Sequence, residues 1–254
     1  MTTEMSNSLR ADLDRLAVGC RVLELEGHGD MTLGHLSLRD PDGRGFWLKR
    51  NAIGLGEVRN AEDFVLVTYD GKQIAGSGQC HSEWPIHSEI LKARPDINVV
   101  AHTHPYNTCV FSATDGQLRP VALEASYFAD PIPMFHGTGA LVKTVPLGQE
   151  LAGALGPALA VFMKNHGVTF CGPTVERAAL VGIWLERACK AQLDVTASGL
   201  DWSSPGPESE AERNSQIWSD TNDVHIEHSW GYYTRKLAAL EATPGASAIY
   251  GRIL

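Results

Sequence analysis

Residues 96–108 read DINVVAHTHPYNT, an apolar, β-branched run that ends in two histidines one residue apart, His102 and His104. As a strand, the run places residues two apart on one face, so both imidazoles project together from its end. Two such donors suit one metal ion, and a catalytic zinc-type site needs about three protein ligands and an open position. Residues 162–172, FMKNHGVTFCG, offer a third: His166 closes an apolar strand-like run and precedes Gly167, a residue that admits close approach of backbone or ligand. An isolated His-x-His fits equally well a strand end whose imidazoles hydrogen-bond the following turn. A carboxylate tips the comparison. Glu83 opens the helical stretch at 82–96, SEWPIHSEILKARPD, which leads straight into the histidine strand. There it can move protons at a substrate or enter a coordination shell; the plain alternative is a first-turn Glu favoured by the helix dipole.

Composition bounds what surrounds this motif. A chain of 254 residues with 43% hydrophobic content can bury a full core, which we read as one domain over 1–254. The net charge of −9, with no Lys/Arg-rich block, argues against nucleic acid or an anionic membrane as partner. No apolar run approaches the roughly 20 residues that span a bilayer, and the acidic, polar start MTTEMSNSLRADLDRL does not resemble a signal peptide. A cytoplasmic location is the expectation. The five cysteines are far apart without a CxxC pair, so they read as reduced thiols.

Helical and strand periods alternate along the chain. Leu9, Leu13, Leu16, Cys20 and Leu23 recur at three and four residues before Gly27, as in an amphipathic helix ending at glycine. GHLSLRD, GFWLK and DFVLVTYDGKQIAG read as strands, the last folded at Asp70-Gly71. Ser82 is the expected N-cap of the next helix, which tolerates Pro85 in its first turn and stops before Pro95. TVERAALVGIWLERACKAQLDVTASG is a long helix from Thr174 to Gly199. The Pro-, Gly- and Ser-rich stretch near 199–215 is expected to be a loop, followed by a C-terminal helical extension.

HSEWPIHSEILKARPDINVVAHTHP together with MKNHGVTFCG resembles the class II aldolase/adducin family, which includes the L-fuculose-1-phosphate aldolases. The resemblance implies an α/β fold: a three-layer α/β/α sandwich around a central, mostly antiparallel sheet. It matches Glu83 to the catalytic acid/base and His102, His104 and His166 to the ligands of one divalent ion per subunit. Zinc or manganese is expected, and iron or cobalt is also compatible. It further implies a homo-oligomer, commonly a tetramer, with sites at subunit borders to which C-terminal residues such as Tyr232 and Arg235 can contribute.

The departures from that family bear on substrate. Thr32, Gly34 and Ser82 match its phosphate-binding turns. His35, however, stands where the aldolases have Asn, His81 replaces a Ser, and the middle turn, WLKRNAIGLG, lacks its Thr-Gly. Imidazoles in a cradle of small hydroxyls and amides favour a flat or carboxylate-bearing small molecule over a sugar phosphate, with Lys49, Arg50 or Arg39 as carboxylate partners. GHLSLR and WGYYTRKL also resemble a branch of hydroxyaromatic-dicarboxylate decarboxylases. The expected function is therefore a metal-dependent carbon–carbon lyase, a decarboxylase working through a metal-stabilised enolate. An aldolase and a non-heme iron oxygenase on the same scaffold are the alternatives. A non-catalytic module of the adducin-head type fits less well, because that type lacks the metal histidines.

Overall fold

The computed structural model describes residues 5–128, 130–217 and 222–243. Helix α1 (Asn7–Leu23) starts where the Ser6 hydroxyl accepts the Leu9 N–H, and its apolar stripe from Leu9 to Leu23 is buried. It runs into a π-helical turn, Glu24–His28, in which Gly27 takes φ 87°. Strands β1 (His35–Arg39), β2 (Phe46–Lys49), β3 (Phe64–Val67) and β4 (Gln73–Ala75) follow as an antiparallel meander. The β3–β4 turn contains Asp70-Gly71, with Gly71 at φ 89°. Then come α2 (Trp84–Ala93), β5 (Val99–Thr103), α3 (Tyr106–Ser112), β6 (Met134–Phe135), α4 (Val145–Leu155), β7 (Ala160–Met163) and β8 (Gly167–Gly172). Helices α5 (Val175–Ala197), α6 (Pro207–Ile217) and α7 (Asn222–Glu241) complete the described chain.

The eight strands form one sheet in the order β4-β3-β2-β1-β5-β8-β7-β6. Every pairing is antiparallel except β6 with β7. Alternation along the strands splits the core in two. Leu36, Trp47, Leu66, Ala101, Phe162 and Phe170 face α1, α5 and α7, while Phe46, Leu48, Val65, Val100, Val161 and Cys171 face α2 and α4. The architecture is the expected three-layer α/β/α sandwich.

Two expectations need correction. The stretch near 199–215 is not loop throughout: α6 begins at Pro207, where proline suits a first turn and Glu208 and Glu210 favour the positive end of the helix dipole. Ser82 does not cap α2. Glu83 occupies the N-cap position, and its carboxylate turns inward instead of onto the helix's own N–H groups. Among the described residues no helix is long and apolar enough to cross a membrane.

One buried carboxylate fixes the chain just past His104. Glu186 of α5 accepts from the backbone N–H groups of Asn107 and Thr108 at 2.9 and 2.8 Å, the Asn107 amide at 2.7 Å and the Thr108 hydroxyl at 2.6 Å. Bonds to an ionised acceptor contribute about 1.5–3 kcal/mol, and a stranded buried donor costs about as much. Glu186→Gln, which presents an amide N–H₂ to those donors, is predicted to lower unfolding stability by about 2 kcal/mol in a denaturant titration. An unchanged midpoint would remove Glu186 from this role.

Candidate active site

The end of β5 presents its two histidines with their proton positions already dictated. His102 Nδ1 lies 3.0 Å from the Val168 carbonyl, and His104 Nδ1 lies 3.0 Å from Asp30 Oδ2. Both partners accept, so each Nδ1 is the donor to its partner and each Nε2 is turned forward, away from it. Those two Nε2 atoms are 3.1 Å apart. Two imidazole nitrogens converging at that distance suit shared ligation of one cation. His166 comes from the β7–β8 turn, where Asn165 takes φ 55°, and its ring is 4.9 Å from that of His102 and 5.3 Å from that of His104. The three residues each offer a donor atom within 4.8 Å of the others. Burial holds the His102 imidazolium well below its ordinary range and that of His166 down to about 4, so both rings are neutral and available as ligands. This donor set fits a divalent ion of the zinc type.

Gly167 makes the close packing feasible. A Cβ there would lie 2.6 Å from His104 Cδ2 and 2.6 Å from the Thr103 carbonyl oxygen, so only glycine lets β8 pass the His104 ring.

Glu83 sits between two groups of imidazoles. Its Oε1 accepts the Val142 N–H at 2.8 Å and lies 3.9 Å from His166 Nε2, while Oε2 lies 3.9 Å from His102 Nε2 and 3.8 Å from His35 Nε2. The side chain is 2% exposed, and burial pushes its carboxyl above the usual range despite the Val142 N–H. A first-turn Glu serving only the helix dipole would not be placed this way. Opposite it, His35 is the cross-strand neighbour of His102, and the His81 ring lies 4.0 Å from that of His35. His35, His81 and Glu83 form a second group of converging donors. Burial drives the His35 imidazolium well below its ordinary range, and that of His81 to about 4.

The other sequence candidates fare unevenly. Gly34 leads into His35, and a Cβ there would press Leu55 at 3.1 Å. Thr32 is exposed and contributes its carbonyl to Lys49 at 3.4 Å; Ser82 is exposed. The proposed carboxylate partners are otherwise engaged. Arg50 pairs with Asp63 at 3.2 Å. Arg39 donates to the carbonyls of Leu91, Arg94 and Ile97 and to the Tyr69 hydroxyl, tying β1 to the end of α2. Lys49 is fully buried against the carbonyls of Ile53, Thr32 and Arg50, and burial lowers its ammonium to about 8. Tyr232 and Arg235 are exposed on α7 and are not part of this chain's own histidine cluster. Sequence reasoning missed Asp30 and the Val142 N–H, which nothing local marks, and the place of His87, which is fully buried on α2. Its spacing of four from Glu83 was the available signal.

Comparison with known proteins agrees with this geometry. Residues 14–193 match the family described as Class II Aldolase and Adducin N-terminal domain. A 3,4-dihydroxyphthalate decarboxylase of Arthrobacter keyseri is 31% identical over 197 residues, covering 73% of this chain and 79% of that protein. An L-fuculose 1-phosphate aldolase from Glaciozyma antarctica PI12 superposes with TM-score 0.81 at 22% identity, over 95% of this chain and 94% of its own. An aldolase II superfamily protein from Pseudomonas syringae gives TM-score 0.82 at 25% identity, over 91% and 94%. With its family match spanning most of the sheet and a histidine cluster at the end of β5, the chain is an enzyme of the lyase type and belongs to the class II aldolase and adducin family.

Proposed function

We propose that this protein is a metal-dependent decarboxylase of a hydroxyaromatic or oxo carboxylic acid. The observation that carries the reading is the replacement of a small-residue cradle by His35 and His81, two buried neutral imidazoles facing Glu83 across from the His102, His104 and His166 cluster. The dihydroxyphthalate decarboxylase relative supports the same reaction class. A divalent ion held by His102, His104 and His166 would supply Lewis acidity to adjacent oxygens of the substrate.

The chain's own residues supply the rest. Asp30 and the Val168 carbonyl orient His104 and His102, and Val142 N–H holds one oxygen of Glu83 so that the other faces the substrate space. As the carbon–carbon bond breaks, carbon dioxide leaves and the bonding pair stays on the former carboxyl-bearing carbon. Glu83, whose buried carboxyl retains a proton more readily than a free one, returns that proton to the carbon and is recharged from water. His35 and His81 converge on Glu83 beside the three ligands. Tyr232 and Arg235, exposed on α7, are offered to the site of a neighbouring copy in a homo-oligomer, most simply a tetramer.

Two measurements follow. Hydroxyaromatic dicarboxylates and, separately, ketose phosphates are supplied under nitrogen with zinc or manganese; carbon dioxide from an acid, abolished by chelator, is the predicted result. Aldehyde from a ketose phosphate without carbon dioxide would establish an aldolase instead, and turnover only with oxygen present an oxygenase. Glu83→Gln is predicted to keep one ion per chain and bind the acid, yet lose turnover by about 10²–10⁴-fold. A variant turning over at near the parent rate would dismiss Glu83 as the proton donor.

A further inference from the structure

Beside Glu83 and His102 runs a buried row of polar groups for which the proposed reaction has no stated use. Ser37 Oγ lies 2.7 Å from His87 Nδ1, and His87 Nε2 lies 2.7 Å from His35 Nδ1. His35 Nε2, at the end of the row, is buried and has no hydrogen-bond partner among the described residues. It lies 3.8 Å from Glu83 Oε2. All three side chains are fully buried, and burial lowers the His87 imidazolium to about 3, so each ring carries one proton and each link holds one.

A row of this kind has two polarities. In one, the Ser37 hydroxyl donates to His87 Nδ1, His87 Nε2–H donates to His35 Nδ1, and His35 Nε2 carries a proton facing Glu83. In the other, every donor reverses: His35 Nε2 is bare, and the Ser37 hydroxyl must turn to the Val100 carbonyl. That carbonyl is 3.5 Å away, well beyond the 2.5–3.0 Å of a good hydroxyl bond. Both polarities keep the two 2.7 Å links, but only the first gives the Ser37 hydroxyl a near acceptor, and it turns the His35 N–H toward Glu83.

We infer that Ser37 and His87 are positioning residues that hold His35 as its Nε2–H tautomer, and that this N–H receives a carboxylate of the substrate. The inference rests on the proposed decarboxylase reading for the identity of the acid, whereas the tautomer itself does not depend on any reaction. A neutral imidazole suits this role: it donates one directed bond to an anion and brings no charge that would compete with the cation-binding cluster 5.2 Å away, ring to ring, at His102.

The test has a structural arm and a binding arm, both on the zinc-loaded full chain. Neutron diffraction from deuterated crystals is predicted to show deuterons on Nε2 of both His35 and His87. A deuteron on His87 Nδ1, shared with Ser37 or the Val100 carbonyl, would overturn the assignment. For binding, phthalate carries carboxylates without hydroxyls and catechol the reverse. Ser37→Ala is predicted to weaken phthalate by about 10- to 100-fold and catechol by less than about threefold. Ser37→Thr, which keeps the hydroxyl, restores phthalate binding. Equal losses for both probes, or no loss for phthalate, would overturn the role of the row. If the protein decarboxylated no acid at all, the proposed reaction would fail while the deuteron positions still decided the tautomer.

Discussion

The antiparallel register of β1 against β5 is the constraint on which the site depends. It sets His35 opposite His102 and Ser37 opposite Val100, placing all four on the face covered by α2. A slip of one residue would turn His35 and Ser37 toward α1 and α5 and present Leu36 to the histidine cluster. The hydrophobic pattern forbids that slip. Leu36 and Ala101 belong to the core beneath α1 and α5, whereas Val100 belongs to the core beneath α2 and α4. Packing of the two cores thus fixes which imidazoles meet.

Around that register the polar groups divide the work. Acceptors behind His102 and His104 turn their Nε2 atoms forward, while in the inferred polarity the serine behind His87 and His35 turns a proton forward. Glu83 lies between a set of lone pairs suited to a cation and an N–H suited to an anion. A substrate with a carboxylate beside a chelating oxygen would match both halves at once. Sugar-phosphate chemistry would find neither small hydroxyls nor free amides where His35 and His81 stand.

Much of this was legible in the residues. His-x-His at the end of an apolar run, a Glu opening the preceding helix and a His-Gly after another strand carry the cluster, because strand and helix periods fix where such side chains point. The long helices were readable from their apolar spacing and their caps at Ser6 and Thr174. What escaped depends on contacts distant in sequence. Asp30 reaches His104 across 74 residues, Val142 reaches Glu83 across 59, and His87 meets Ser37 across 50. Arg39 and Lys49 looked like carboxylate partners because charge is visible in a sequence, while the backbone carbonyls that satisfy them are not. The stretch near 199–215 was read as loop because Pro and Ser outweighed the acidic first turn that starts α6.

The most direct measurement is anomalous X-ray diffraction at the zinc or manganese edge from crystals of the full chain. The account predicts one peak per chain bonded to the Nε2 atoms of His102, His104 and His166, at about 2.0–2.1 Å for zinc. A peak held instead by His35, His81 and Glu83, or no peak at either cluster with metal present in excess, would contradict it.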